Sequence, residues 1–407
     1  MATLEDDVAT STQEATASRQ RTIRRRKLIV RGGIGVLVLL SGGVVWRSVD
    51  QGVFSTGEGP AYEPWEQWRT ATKGSLDLVR AAILAANPHD SQPWLFHVTE
   101  TQIDLFADRQ RNLGHIDPLL REMHIGLGCA LENLLLAAAA NGYVTQVTLL
   151  PDPADETFVA RIELAPGASN VTDLYQVIPH RHTNRYPYDN TRPLAPTILD
   201  SLRALNDDTN VTVFWFTGTD EHKRIADLMV EAAKALVADK VQNADSNRWM
   251  RNSWQEIQQY RSGITLDAQG LSDLERIFGK VLPPLPQDQQ DAFFVQSTEK
   301  QARSASALGL IAVRQSQDNA QRMRAGRLWQ RMHLWATVHG LAMQPMNQMA
   351  ERADRETTQG ISPRFGDALK TLIGVSSWEA LMPFRLGYPI HEALRSPRRA
   401  VNDILRK

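Results

Sequence analysis

Apolar positions along the chain recur with two periods, one typical of helices and one typical of strands. The helical period is most regular over 121–140, where Met123, Leu127, Leu131 and Leu134 fall on one stripe. Helices are therefore predicted over Leu76–Ala86, Arg121–Ala140, Asp220–Ala238 and Met323–His339. Short apolar or alternating runs predict strands over Trp94–Val98, Gln102–Phe106, Tyr143–Leu150, Phe158–Leu164, Val211–Phe216 and Leu308–Val313. Helices and strands mixed in this order predict the α+β class.

The first 51 residues have the composition of an export signal or a membrane anchor. A polar stretch is followed by a basic cluster at residues 21–27 and then by an apolar stretch from Leu28 to Trp46. This order matches the charged and apolar regions of a signal peptide. Arg25-Arg26, followed by Lys27-Leu28-Ile29, also resembles the twin-arginine pattern. We therefore expect an exported protein, either periplasmic or membrane-anchored and facing outside the cytoplasm.

Three interpretations of this region stay open from the sequence. The uncharged part, from Gly32 to Trp46, would reach about 22 Å as a helix, which is short of the roughly 30 Å of a bilayer core. A cleaved signal fits this length. No clear small-x-small cleavage site follows Trp46, so an uncleaved single anchor fits as well. The third interpretation, a core helix with a basic lead, is disfavoured by the glycines of the stretch.

The rest of the chain shows an internal similarity between two segments. An alignment that places Gly142 on Gly340 also pairs Gly128 with Gly326 and Leu131 with Trp329. Both segments are long apolar helices closed by a glycine, so the alignment suggests a duplicated fold. We assign residues 52–175 to a first half and residues 176–407 to a second half with an insertion around 246–296. The glycines and prolines between Gly52 and Trp68 predict an extended linker at the start of the first half.

Composition narrows the classes of partner and cofactor. The chain has 407 residues and a formal net charge of -1, which argues against a nucleic-acid partner because phosphate binding needs a basic surface. Its single cysteine, Cys129, excludes a disulfide framework and any multi-cysteine metal site. Because Cys129 lies on the apolar stripe of a predicted helix, a core position is the simplest interpretation. No metal site is predicted.

One candidate site is the polar segment between a predicted helix and a predicted strand. It contains Asn87, His89, Asp90, Ser91 and Gln92, followed by Pro93-Trp94. Backbone N–H groups in such a loop are free to bind a phosphate or the edge of a planar heterocycle. The alternative is a helix-stopping turn, which Asn-Pro and Asp-Ser form without any ligand.

Two further clusters are rich in arginine. Arg181, Thr183 and Arg185 alternate along one segment, so two guanidinium groups and a hydroxyl are available to clamp a phosphate. A solvated basic turn explains the same residues. His180 and His182 lie beside them, but no third ligand stands at a spacing that suggests a metal. Near the carboxyl terminus, Arg398 and Arg399 follow Ser396-Pro397, and alone they are most simply a surface patch.

Taken together, these motifs resemble the nitroreductase family, and most closely its Acg-like branch, in which one chain carries two nitroreductase-like halves. The resemblance rests on Gln92-Pro93-Trp94, on Gly126-Leu127-Gly128 with the helix that follows, on Arg181-x-Thr183-Asn184-Arg185, on the helix Ala325–Gly340, and on the tail from Phe384 to Arg399. It spans roughly residues 65–405. It implies a nitroreductase-like fold whose two halves form a pseudo-dimer within a monomer.

The resemblance also implies a cofactor and a reaction. Family members bind FMN between subunits, so a single composite FMN site is expected at the junction of the halves. The phosphate is expected among Arg181, Thr183, Arg185, Arg398 and Arg399, and the ring against Asn87, His89, Asp90, Ser91 and Gln92. The family reaction passes hydride from NADH or NADPH through the flavin to a small organic acceptor, and it needs no catalytic side chain.

A second hypothesis keeps the fold without the flavin. A carboxylate at Asp90 would repel the anionic edge of reduced flavin unless it is protonated or turned outward. The insertion at 246–296, with Trp249, Trp254 and several prolines, is long enough to cover the site or to shape an acceptor pocket. The alternative function is therefore a sequestering or interaction protein of the cell envelope.

Overall fold

The structure, a computed structural model, describes residues 47–69 and 74–406. The predicted basic cluster and the apolar stretch from Leu28 to Trp46 lie outside the described residues. The twin-arginine and anchor predictions therefore stay predictions.

The described residues form an α+β protein, as the sequence predicts. The helices are α1 (Ser75–Ala82), α2 (Arg121–Ala140), α3 (Asp173–Gln176), α4 (Pro196–Ala204), α5 (Thr219–Ala238), α6 (Lys240–Asn247), α7 (Trp254–Tyr260), α8 (Asp273–Val281), α9 (Gln287–Arg303), α10 (Asn319–Val338), α11 (Gln348–Gln359) and α12 (Arg364–Ile373). The strands are β1 (Trp94–Val98), β2 (Gln102–Ala107), β3 (Tyr143–Leu149), β4 (Phe158–Pro166), β5 (Tyr188–Asp189), β6 (Val211–Phe216), β7 (Met250–Arg251), β8 (Ile264–Thr265), β9 (Ala307–Val313), β10 (Ala342–Pro345) and β11 (Glu379–Pro389). All ten elements predicted from periodicity are present, with ends displaced by at most four residues.

The two main sheets share one topology. The first has the strand order β1-β2-β4-β3, and the second has the order β6-β9-β11-β10. Neighbouring strands are antiparallel in both sheets. In each sheet the long helix follows the second strand of the chain order, α2 in the first and α10 in the second. The second sheet differs by the long insertion between β6 and β9 and by β5, which pairs with the end of β11.

The two long helices cross at two glycines. A Cβ atom added to Gly128 would lie 2.1 Å from the carbonyl oxygen of Met323, and one added to Gly326 would lie 2.0 Å from that of Ile125. Only glycine permits so close an approach between two backbones. Nearby, Gln330 Nε2 donates to Asn133 Oδ1 over 2.8 Å. Gln330 Oε1 also accepts from Ala86 N–H and Asn133 Nδ2 donates to Ala81 O, so both buried amides are hydrogen-bonded. The helices therefore pack through their backbones in the middle of the core.

The segment predicted to be an extended linker packs against the core. Tyr62 and Trp65 are 3% and 2% exposed, and Trp65 Nε1 donates to Ser396 O over 2.8 Å. The prediction was wrong because the glycines and prolines indicate only the lack of regular structure. The large aromatic side chains between them gain free energy by burial and hold the segment in place.

Within the described residues, one helix is long and apolar enough to cross a bilayer. It is α2, and 83% of its most apolar window is buried inside the protein. Because it packs against α10 and α1, we interpret it as the core helix of the fold. Cys129 lies on this helix and is buried, as predicted.

Candidate functional site

A cavity of about 600 Å³ lies where the two halves and the insertion meet. Its walls come from the loop after α1, from α2, from the segment around Thr183, from the insertion, and from β10 with the start of α11. Trp329 and Met382 contribute apolar surface. Cavities of roughly 300–1,000 Å³ with mostly apolar walls are typical of small-molecule sites.

The loop from Asn87 to Gln92 forms one wall and has an unusual backbone. His89, Asp90 and Gln92 have φ angles of +49°, +52° and +51°. Non-glycine residues in this left-handed region are strained, and such residues cluster at functional sites. Asn87 Oδ1 accepts from the backbone N–H of Gln92 over 2.8 Å, which closes the loop. The loop keeps this strained conformation through hydrogen bonds, since none of the three residues is a glycine.

Helix α2 allows this loop to approach closely. A Cβ atom added to Gly126 would lie 2.8 Å from Cδ of Pro88, so a larger residue there would push the loop away. On the other side of the loop, His89 Nε2 lies 3.1 Å from Ser246 Oγ, which belongs to the insertion. Burial, and secondly Arg185, lower the pKa of His89 to about 4. His89 is therefore neutral at pH 7.

Asp90 points away from the cavity and pairs with the carboxyl-terminal tail. Its Oδ1 accepts from Arg398 Nη1, and both side chains are buried. Burial raises the pKa of Asp90, while the Arg398 guanidinium opposes this effect. Beside the pair, Gln92 Oε1 accepts from the backbone N–H of Arg399 over 2.8 Å, and Gln92 Nε2 donates to Arg261 O over 2.8 Å. The back of the loop is therefore joined to the tail and to the insertion.

Arg181 lies in the core rather than in the cavity. It is 2% exposed, and its guanidinium donates to Leu84 O over 3.1 Å and lies 3.3 Å from His333 Nδ1. Burial, and secondly Arg398, lower the pKa of Arg181 to about 9. Nε of Arg181 has no hydrogen-bond partner among the described residues.

Thr183 and Arg185 line the cavity. Arg185 Nη1 donates to Ala268 O over 3.1 Å. Across the described ranges, no carboxylate lies within 4 Å of this guanidinium. Arg185 is the one arginine or lysine among the described residues that line the cavity. Its charge is therefore available to an anionic group of a ligand.

The structure divides the predicted site residues into two sets. Those that line the cavity are Asn87, His89, Thr183 and Arg185. Those that lie behind the loop or in the core are Asp90, Ser91, Gln92, Arg181, Arg398 and Arg399. The predicted clamp of four arginines and one threonine is therefore not arranged around one space. The cations of the tail are used internally, since Arg398 pairs with Asp90 and Arg399 lies 3.7 Å from Asp108.

Two buried carboxyl groups in the cavity wall were not predicted. Glu122 is on α2, Glu351 is on α11, and both are buried. Burial raises the pKa of Glu122 to about 7. Burial, and secondly the neighbouring Glu122, raise the pKa of Glu351 well above its usual value. The pair therefore holds at least one proton near neutral pH. In the sequence, only Glu122 could have been recognised as unusual, because it is an acidic residue in the first turn of an apolar helix.

In the described part of the chain, no group of three His, Cys, Asp or Glu side chains is placed to hold a metal ion. The wall carries several neutral amides and hydroxyls, and its charged or titratable groups include the guanidinium of Arg185, the neutral imidazole of His89, the buried pair Glu122 and Glu351, and Glu275 and Asp291 of the insertion. This set suits an organic ligand with one anionic group.

Comparison with known proteins agrees with the motifs. A Mycobacterium tuberculosis protein named "Putative NAD(P)H nitroreductase Rv3131" is 34% identical over 113 residues, which are 27% of this chain and 33% of that protein. A second, named "Putative NAD(P)H nitroreductase acg", is 28% identical over 189 residues, or 37% of this chain and 57% of that protein. The chain is therefore similar, over parts of its length, to proteins that are named nitroreductases. The alignments cover about one third and somewhat over one half of these relatives.

Solved structures of nitroreductases resemble the chain only weakly. The crystal structure of the FMN-dependent nitroreductase NfnB from Mycobacterium smegmatis in complex with NADPH covers 58% of this chain and 97% of that chain, with 16% identity and a TM-score of 0.36. A likeness this weak says nothing of function. No protein-family model matches the chain.

Proposed function

We propose that the protein is an FMN-dependent oxidoreductase that passes hydride from NADH or NADPH to a small organic acceptor in this cavity. The observation that carries this proposal is the position of Arg185, which faces the cavity without a carboxylate partner in the described chain. A guanidinium that faces a mostly apolar cavity with no carboxylate within 4 Å in the described chain is costly to desolvate, and an anionic group of a ligand would offset that cost. The relationship to proteins named nitroreductases supports the choice of ligand.

The residues present fit the groups of FMN. Arg185 and Thr183 would hold the phosphate through charge-assisted hydrogen bonds. The strained loop at Asn87 and His89 would lie against the ring, where a fixed backbone gives a fixed orientation. When bound, FMN supplies the redox chemistry, and the protein supplies position and field. Asp90 does not oppose this fit, because it turns away from the cavity to Arg398.

The other cavity residues have roles that follow from their surroundings. Trp329 and Met382 exclude water from the cavity floor. His89 stays neutral and offers Nε2 to Ser246 or to a ligand. Glu122 and Glu351 keep a proton at the opposite wall. The cavity is therefore mostly apolar in surface, with Arg185 and a buried acid pair among the polar groups of its wall.

We also propose that the two halves are a duplicated unit that acts as its own dimer. The shared strand order of the two sheets supports this proposal. So does the reciprocal contact of Gly128 with Met323 and of Gly326 with Ile125, since both pairs keep the same spacing along their helices. In this arrangement the first half contributes the loop and the second half contributes Thr183 and Arg185 to a single site.

A second function is favoured by one specific observation. Arg181, Arg398 and Arg399 all make internal contacts, so the cationic clamp expected for a phosphate is reduced to Arg185. A protein that had lost FMN would keep this fold as a sequestering or interaction protein of the cell envelope. Such a protein would depend on the contacts of the carboxyl-terminal tail for its fold, but its role would not depend on Arg185.

The test is the visible absorption spectrum of the purified full-length protein, before and after incubation with FMN. The proposal expects a bound flavin whose affinity falls about tenfold or more in Arg185→Ala, because a charged hydrogen bond is lost. Arg203→Ala is the matched control, since Arg203 is exposed and pairs with Asp200 on the surface. Protein that stays colourless after incubation with FMN would support the second function.

We propose, from the sequence of residues 21–46, that the protein is exported. Cell fractionation, with gel mobility of the mature chain, tests this and separates a cleaved signal from an uncleaved anchor. Recovery of all the protein in the cytoplasmic fraction would contradict it.

A further inference from the structure

Large apolar side chains are exposed on one edge of the insertion. They lie on α8, on the loop that follows α8, and on the early segment that contains Phe54. These residues, which we call the apolar rim, are Phe54, Leu274, Ile277, Phe278, Leu282 and Leu285. Phe54 is 74% exposed and Leu274 is 66% exposed. Leu274, Ile277 and Phe278 share one face of α8 by their spacing, and Lys280 of the same helix contacts Gly52 and Thr56 beside Phe54. Exposed apolar side chains grouped in this way mark an interaction surface.

Three residues of the apolar rim form part of the mouth of the cavity. Phe278, Leu282 and Leu285 line the cavity and are exposed to solvent at the same time. With the exception of Asn252, every exposed residue among the described residues of the cavity wall falls between 275 and 293. A molecule that enters the cavity from this side must therefore pass the rim.

Helix α8 is fastened to the segment that follows the predicted anchor. Lys280 Nζ donates to Gly52 O over 3.2 Å and to Thr56 Oγ1 over 3.1 Å, and it pairs with Asp267 over 2.8 Å. Trp254 packs against Gly52 so closely that a Cβ atom there would lie 2.5 Å from its ring. These contacts fix the rim relative to the start of the described chain.

The chain between Trp46 and Gly52 is short. At no more than about 3.5 Å per residue, it places Gly52 within about 21 Å of the end of the apolar stretch. An apolar phase that receives residues 28–46 would therefore lie within reach of the rim. This limit depends only on the length of the chain and on the contacts of Gly52.

We propose that the apolar rim docks on the surface of a lipid bilayer, so that the cavity opens into the bilayer and takes its acceptor from molecules dissolved there. Burying large apolar side chains in hydrocarbon is favourable, so several such residues on one side of the protein favour one orientation at the bilayer surface. The docking itself does not depend on flavin. Only the use of the cavity for an electron acceptor rests on the proposed function.

The single cysteine makes a direct test available. Cys129 is buried, so a thiol introduced on the surface can be labelled selectively in the folded, full-length protein. We would attach an environment-sensitive fluorophore to Leu282→Cys and, as a control, to Val144→Cys. Val144 is 61% exposed and lies on β3, the edge strand of the first sheet. The proteins are mixed with phosphatidylcholine–phosphatidylglycerol vesicles that carry a quencher on their acyl chains.

The expected result is a blue shift and at least twofold quenching at position 282, with little change at position 144. Equal emission at both positions with vesicles present would overturn the proposal. A probe at 282 that is already shielded without vesicles would mean that residues 28–46 cover the rim. Shielding that grows with protein concentration would mean that a second copy covers it. Either result also overturns the proposal.

A second variant tests the rim without disturbing the core. With the probe moved to Leu274→Cys, the change Leu282→Ser with Leu285→Ser should reduce the quenching severalfold, because both side chains are already exposed in the fold. Unchanged quenching would overturn the role of these residues. Quenching in a protein that binds no FMN would keep the docking and remove the proposed function, so the two failures are distinguishable.

Discussion

Gly128 and Gly326 lie at the crossing of the two long helices, and each faces a carbonyl oxygen of the other helix. The oxygen facing Gly128 belongs to Met323, three residues before Gly326, and the oxygen facing Gly326 belongs to Ile125, three residues before Gly128. The contact is therefore symmetric. A symmetric backbone contact at the centre of the core couples the packing of the two halves.

Gly128→Ala and Gly326→Ala should each destabilise the protein by about 1–3 kcal/mol or more, because a methyl group would force the helices apart. The double variant should lose less free energy of unfolding than the two single variants together, because the helices need to move apart only once. Denaturant unfolding measures all three.

Gly366→Ala is the matched control for this pair. Gly366 lies inside α12, and a Cβ atom there would be 3.6 Å from Cβ of Pro363, an ordinary van der Waals distance. Its replacement should be neutral or stabilising, because alanine is the better helix former. Equal losses at Gly366 and at the crossing would mean that the close backbone approach of the two long helices does not set the cost.

Sequence periodicity was sufficient for the elements and insufficient for the contacts of the site. The stripe on α2 and the alternation in β3 and β4 predict those elements because burial repeats at fixed intervals. The alignment also predicted that Gly128 and Gly326 occupy equivalent positions, but it did not predict that the two helices cross there. Side-chain direction did not follow from spacing. Arg181 and Arg185 are four residues apart, yet one lies in the core and the other in the cavity wall.

The partners of buried charges explain this difference. From the sequence alone, Arg398 was most simply a surface cation. In the fold it pairs with the buried Asp90, which lies 308 positions earlier in the chain. Glu122 and Glu351 likewise meet only through the fold. No local pattern records a contact between distant segments, so the acids of the cavity were missed and the cations were assigned to a ligand.

Arg398→Gln should destabilise the protein by about 3–5 kcal/mol, because it leaves the buried carboxylate of Asp90 without its cation. The double change Asp90→Asn with Arg398→Gln should recover a large part of that loss. Arg395→Gln, on the same tail, should have little effect, since Arg395 is exposed and lies 3.5 Å from an exposed Glu66. Chemical denaturation compares the four proteins. An equal effect of the two single arginine changes would argue against a buried pair.

Replacing Arg181 and replacing Arg185 should have different effects on stability and on flavin affinity. Arg181→Met removes a buried charge that has no carboxylate partner among the described residues, so the free energy of unfolding should stay the same or rise by about 1 kcal/mol. Flavin affinity should not change. Arg185→Ala should show the reverse, with unchanged stability and weaker flavin binding. Flavin titration beside thermal unfolding measures both quantities. Loss of flavin in Arg181→Met at unchanged stability would place Arg181 in the site.

The acid pair predicts how stability varies with pH. Burial raises the pKa of Glu122 to about 7 in the folded protein, and burial with the neighbouring Glu122 raises the pKa of Glu351 well above its usual value, whereas both titrate near 4.5 when unfolded. Between about pH 4.5 and 7 the folded state thus binds more protons than the unfolded state, so the contribution of these groups to stability falls as pH rises.

Glu351→Gln keeps the hydrogen-bonding shape without a titrating group. It should raise the melting temperature at pH 8 by at least about 1–2 °C relative to the unmodified chain and leave it nearly equal at pH 5. Glu66→Gln, at an exposed position, should give the same curve as the unmodified chain at every pH. A melting temperature for Glu351→Gln that falls at pH 8 would mean that the pair is ionised and stabilising, with Arg121 as the compensating cation.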